Sequence, residues 1–134
     1  MRIKIIVLFI CLLFVSFVTP AQEKISLLDA DKVKIILNLS NDQFKIIKMD
    51  IDKIKGILEE DKNILSKLRE RFKNDDEPGF FEKISVKRGR DKRSDKIEDL
   101  IEDIEDQLNT KQKLLYRDIE KPGLKSLSKK ELTE

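Results

Sequence analysis

The side chains that could do chemistry in this chain are almost all charged, and the usual catalytic partners are missing. The 134 residues contain no histidine and no tryptophan. The single cysteine, Cys11, lies inside an apolar run near the start. Without His or Cys the common nucleophile–base pairs cannot be assembled, and there is no glycine-rich loop to cradle a phosphate. The 26 Asp and Glu residues recur on what read as solvated helix faces rather than as an isolated acid/base pair. Carboxylates alone hold hard cations only loosely, so neither a metal nor any other cofactor is expected. The chain is read as a non-enzyme. What remains is surface chemistry: the densest aromatic-apolar patch (Phe80, Phe81, Ile84, Val86) runs straight into a basic stretch, Lys83, Lys87, Arg88, Arg90, Lys92, Arg93 and Lys96. Such a patch combines weak apolar contact with long-range attraction, which suits unfolded, often acidic, chains. The two phenylalanines could equally plug a hairpin tip or a dimer seam.

Residues 1–21 are expected to be a targeting segment. Arg2 and Lys4 precede an apolar run from Ile5 to Val18, and Thr19-Pro20-Ala21 offers a small-residue cleavage site, the pattern of a secretory signal peptide. The run is short of the roughly 20 residues that span a bilayer, so no stable membrane insertion is expected once it is removed; the alternative is that it is kept as an uncleaved anchor. Bulky Phe9 and Ile10 precede Cys11, where a lipid-anchor site wants small residues. Arg2 and Lys4 are the only members of the 28 basic residues in this stretch, so residues 22–134 balance 26 basic against 26 acidic groups. A neutral remainder gives no reason to expect nucleic-acid binding, and it has no thiol for a disulfide.

The elements that must carry the patch are helices. Ser40 is a strong N-cap, Gln43 completes a capping box, and Leu39 with Phe44 forms a hydrophobic staple. From there Phe44, Ile47, Ile51, Ile54, Leu58, Leu65, Leu68 and Phe72 hold a seven-residue apolar repeat whose step widens across Asp61. A helix from Asn41 to Phe72 would be about 48 Å long. Before it, Asp31 is expected to cap a short helix over Lys32 to Asn38, with 22–31 loose. After it, Asn74 to Gly79 is a turn, Gly89 marks a possible helix break, and a second apolar stripe starts near Asp95 with Ile97, Ile101, Ile104 and Leu108. Leu108, Asn109 and Gln112 repeat the opening signature, with Asn109 either starting a helix or kinking one. Pro122-Gly123 stops that helix, and 124–134 is a loose charged tail with room for a turn or two over Ser126 to Leu132. The reading is an all-α chain, a single helical domain over 22–134 built as an elongated hairpin with a short N-terminal and a C-terminal helix.

Two copies of Leu-(Ser/Thr/Asn)-x-x-Gln, formed by Leu39, Ser40, Gln43 and by Leu108, Asn109, Gln112, in a small charged helical chain after an export signal, resemble the Spy/CpxP family of periplasmic proteins and its paired L-T-x-x-Q motifs. The resemblance covers about Leu37 to Ile119. It implies a cradle-like antiparallel homodimer and an ATP-independent chaperone that holds unfolded or misfolded envelope proteins. The alternative it implies is a periplasmic regulator that binds one envelope-stress sensor. Ser and Asn replace the family's Thr and can make the same caps. The lack of histidine removes the usual ligand of the family's metal-sensing branch. Client-binding candidates are Phe80, Phe81, Lys83, Ile84, Lys87, Arg88, Arg90 and Arg93; the two motifs are assigned to architecture.

Overall fold

Ser40 and Gln43 open the longest element as their spacing requires. The Ser40 hydroxyl accepts from the Gln43 N–H at 3.2 Å, and the Gln43 carboxamide oxygen accepts from the Ser40 N–H at 3.1 Å. The structure, a computed structural model, describes residues 23–133; the signal-like stretch 1–21 lies outside them. Five helices follow one another: α1 (Ala30–Ile36), α2 (Asn41–Lys73), α3 (Phe80–Asp106), α4 (Thr110–Tyr116) and α5 (Lys129–Thr133). Among the described residues no helix is long and apolar enough to cross a membrane.

The two long helices, α2 and α3, run antiparallel. Gln43 meets the carbonyl of Gln107, Asp61 meets Arg90 and Arg93, and Arg71 meets Glu82, so one helix descends as the other rises. The buried residues of α2 are Ile47, Asp50, Ile51, Ile54, Ile57, Asp61, Leu65 and Leu68, and α3 supplies Ile97, Leu100 and Ile104. Leu58 and Phe72, assigned to the seam by a strict seven-residue repeat, are only half-buried. A straight helix turns 3.6 residues per turn and drifts off that repeat, which brings Ile57 into the seam.

The apolar cluster is concentrated at the end of the hairpin away from the turn. There Leu27, Val33, Leu37, Leu108, Tyr116 and Ile119 close over Ile47, Ile51, Ile54 and Ile104. Ser26 and Glu120 form an isolated parallel bridge, with Leu27 N–H donating to the Glu120 carbonyl at 2.9 Å and Glu120 N–H to the Ile25 carbonyl at 2.8 Å. The Tyr116 hydroxyl donates to the Ile101 carbonyl at 3.2 Å, and burial pushes its pKa up.

Several expectations change. The chain before α1 is tied down, because Leu27 is wholly buried. Helix α1 starts at Ala30, and its cap is Asp29, which accepts from Lys32 N–H, rather than Asp31. It ends with Asn38 in the left-handed region (φ 49°). Asn38 N–H bonds to the Ile35 carbonyl and Leu39 N–H to the Lys34 carbonyl, the paired closure that a left-handed residue allows. Helix α3 begins at Phe80, not near Asp95, and passes through Gly89 without a break. A glycine inside a helix costs about 1 kcal/mol relative to Ala, too little by itself to end a helix of 27 residues. Asn109 starts a separate helix.

Candidate functional site

Three places hold polar or exposed groups beyond what the helices themselves need. The first is the junction of the two motifs. Asn109 and Gln112 form a capping box on α4 of the same kind as Ser40 and Gln43 on α2. The loop from Gln107 to Asn109 lays the two boxes against each other. Gln43 Nε2 donates to Gln112 Oε1 (2.9 Å) and to the Gln107 carbonyl (2.8 Å); Gln112 Nε2 donates to Gln43 Oε1 (3.1 Å) and to the Leu37 carbonyl (3.1 Å). Each carboxamide oxygen also accepts from its own N-cap N–H. Both donors and both lone pairs of each glutamine are therefore used. Gln112, at 6% exposure, is a buried polar link between α1, α2 and α4. Leu39 and Leu108 pack beneath in the apolar cluster.

The second is a clamp midway along the hairpin. The Asp61 side chain is 4% exposed and those of Arg90 and Arg93 are 14% exposed. Arg93 donates to Asp61 Oδ1 through Nε (3.1 Å) and a terminal nitrogen (2.9 Å), and Arg90 Nε donates to Oδ2 (3.3 Å). Arg90 also donates to the Lys125 carbonyl. Arg90 and Arg93, read from the sequence as part of a basic client surface, are thus turned inward and paired. The reason is helical phase: on α3 they lie on the face of Ile97 and Leu100, while Lys87 and Arg88 fall on exposed positions.

The third is the tip. Phe80 and Phe81 are 71% and 83% exposed, their rings edge to face with centroids 5.6 Å apart. They do not plug the hairpin. Arg71, held by Asp76 at 2.8 Å and by Glu82, closes the turn instead, and the Arg71 guanidinium holds the Asp76 carboxyl below its usual range. Lys83 is committed to Glu77 at 2.6 Å and Ile84 is half-buried. Beside the tip, between α2, α3 and the segment from Leu124 to Leu132, runs a groove of about 550 Å³ with Leu68, Phe72 and Val86 among its walls.

The structure therefore leaves Phe80, Phe81, Lys87 and Arg88 exposed on α3, the two pairs about two turns apart, and removes Arg90 and Arg93 from that set. Asp61 and the C-terminal segment went unrecognised as structural partners. The signal for Asp61 was present: a charged residue where the α2 stripe required an apolar one. Among the described residues no group of three or more His, Cys, Asp or Glu side chains is placed to hold a metal ion, and no buried side-chain polar atom lacks a hydrogen-bond partner. Compared with known proteins, the chain matches no family model, no curated protein and no solved structure.

Proposed function

We propose that the chain is an exported, ATP-independent holdase that works as a cradle-like antiparallel homodimer and binds unfolding envelope proteins at the hairpin tip. The observation that carries this reading is the outward pair Phe80 and Phe81, with the exposed Lys87 and Arg88 about two helical turns further along α3. Two adjacent aromatic rings left in water have a reason to exist only if something else covers them part of the time. The turn closes through Arg71 without their help. A small apolar spot with nearby positive charge gives weak, quickly reversed contacts, which let a client leave without nucleotide hydrolysis. The dimer is supported by further exposed apolar side chains on α1, α2 and α4, namely Ile35, Ile46, Met49, Leu114 and Leu115.

The deciding experiment is suppression of aggregation. The purified protein at a several-fold molar excess should keep several unrelated denatured proteins from aggregating without ATP. The Phe80→Ser/Phe81→Ser variant should lose most of this effect at unchanged helix content. No suppression by the unaltered protein removes the holdase reading; retention of one envelope protein alone would point to the regulator. Sedimentation at tens of micromolar should give a dimer, and a monomer would remove the cradle.

A further inference from the structure

We infer that the groove beside the hairpin tip is a binding site for a free single-chain amphiphile with an anionic head, a long-chain carboxylate. This shares Lys87 with the client reading but uses neither the outward phenylalanines nor Arg88. The floor is apolar and drawn from three elements: Leu68 and Phe72 of α2, Val86 of α3, and Leu127 and Leu132 of the C-terminal segment. Its volume, about 550 Å³, falls within the range of small-molecule sites. The rim is cationic, with five basic side chains against the two carboxylates of Glu77 and Asp91.

The pairing within the rim shows which charges await a partner. Glu77 is shared by Lys83 (2.6 Å) and Lys129 (3.5 Å), and Arg90 is spent on Asp61 and the Lys125 carbonyl. Lys87 and Lys125 form no ion pair among the described residues. An apolar trough with Lys87 and Lys125 among its lining residues, neither in an ion pair among the described residues, matches one hydrocarbon chain and one carboxylate.

The same walls disfavour an extended peptide. The α2 and α3 backbone groups facing the groove are consumed by their own helices, and the Lys125 carbonyl already accepts from Arg90. A peptide strand laid against α2 and α3 would find no backbone partners there for its N–H and C=O groups, and only the non-helical stretch 124–128 could pair with it along one edge. An acyl chain brings no such groups.

Calorimetric titration of the purified protein with laurate below its micelle concentration tests this, with dodecyltrimethylammonium and an acidic-apolar nonapeptide as parallel titrants. One laurate should bind per chain, with a negative heat-capacity change, and the cationic detergent should bind about tenfold more weakly. Lys87→Gln and Lys125→Gln should each weaken laurate about fivefold at low salt, an effect that shrinks as salt is raised. Leu127→Asp should abolish binding while far-ultraviolet circular dichroism stays the same. Equal affinity for the two detergents, indifference to both lysine substitutions, or binding of the peptide but not of laurate would overturn the assignment.

Discussion

Asp61→Leu is the substitution that best separates a hairpin held by its apolar seam from one held by its clamp. By pattern alone leucine should help, since it fills the seam between Ile57 and Leu65 and burying such a side chain contributes about 2 kcal/mol. In the structure, however, the Asp61 carboxylate is the acceptor for two guanidinium groups that are themselves 14% exposed. Removing one member of a buried pair costs about 4 kcal/mol, because the charge left behind has lost both water and partner. The net expectation is a loss of about 2 kcal/mol. Urea unfolding followed at 222 nm should show the midpoint falling by about 1 M at an m-value near ~2 kcal/mol/M. The triple variant Asp61→Leu/Arg90→Leu/Arg93→Leu should recover to within about 1 kcal/mol of the parent or exceed it, as apolar replacements of whole buried ion groups do. Two results would refute the reasoning: Asp61→Leu no less stable than the parent, or a triple variant no better than the single one.

Gln112→Ala should cost about 2–3 kcal/mol, since it strands the Leu37 carbonyl and half of the Gln43 carboxamide in a closed junction; a thermal melt lowered by roughly 10 °C checks it. Gly56→Ala should stabilise by up to about 1 kcal/mol, because Gly56 is an exposed helix-interior residue and a Cβ there meets nothing within 4 Å; the urea midpoint reads it. Acid should loosen the tip and α5 before the base. Arg71 depresses the Asp76 pKa, Lys83 and then Lys129 depress that of Glu77, and the Ser128 N–H depresses that of Glu131. Folded values below the unfolded ones mean that this stabilisation is complete above the ordinary carboxylate range and disappears as pH falls through the depressed values, below about pH 4. Amide hydrogen exchange should show α5 losing protection there while α4 keeps it, and simultaneous loss would contradict the sign.

The helix starts at Ser40 and Asn109 were legible because a capping box is local: four residues contain both donors and both acceptors. The turn at 74–79 was legible for the same reason, with Pro78 and Gly79 in sequence. That the two glutamines would bond to each other was not, since nothing within either motif says that α4 folds back across the start of α2. The start of α3 was missed because the apolar stripe becomes regular only near Asp95 and Gly89 read as a possible break. In the structure Arg90 and Arg93 share the one Asp61 carboxylate of the other helix, which offsets one of their two charges and ties this stretch of α3 to α2. For the tip, the sequence located Phe80 and Phe81 correctly but left their exposure open, because burial depends on whether another element reaches them. Among the described residues no such element reaches them, as α5 packs on α2 instead.

The three polar features divide the hairpin by what holds each part. Toward the base, an aliphatic cluster ending at Ile57 on α2 and Ile97 on α3 is closed by the glutamine junction. Beyond Asp61 the buried residues Leu65 and Leu68 lie outside that cluster, and the turn is tied by Arg71, Asp76, Glu82, Lys83 and Glu77 at exposed or half-exposed positions. Surface ion pairs contribute at most about 1 kcal/mol each, whereas the base buries whole isoleucine side chains at about 2 kcal/mol apiece. The outer half must therefore open at lower free energy than the base, with the Asp61 clamp as the boundary. Phe80, Phe81 and the lysine-rimmed groove all lie on the weak side of that boundary. The holdase proposed above would need local give at its client surface, and a long two-helix molecule can supply it only if the give does not spread to the base. The inward turn of Arg90 and Arg93 bears on this: charges that the sequence offers to a partner instead join the two helices at the inner edge of the tip.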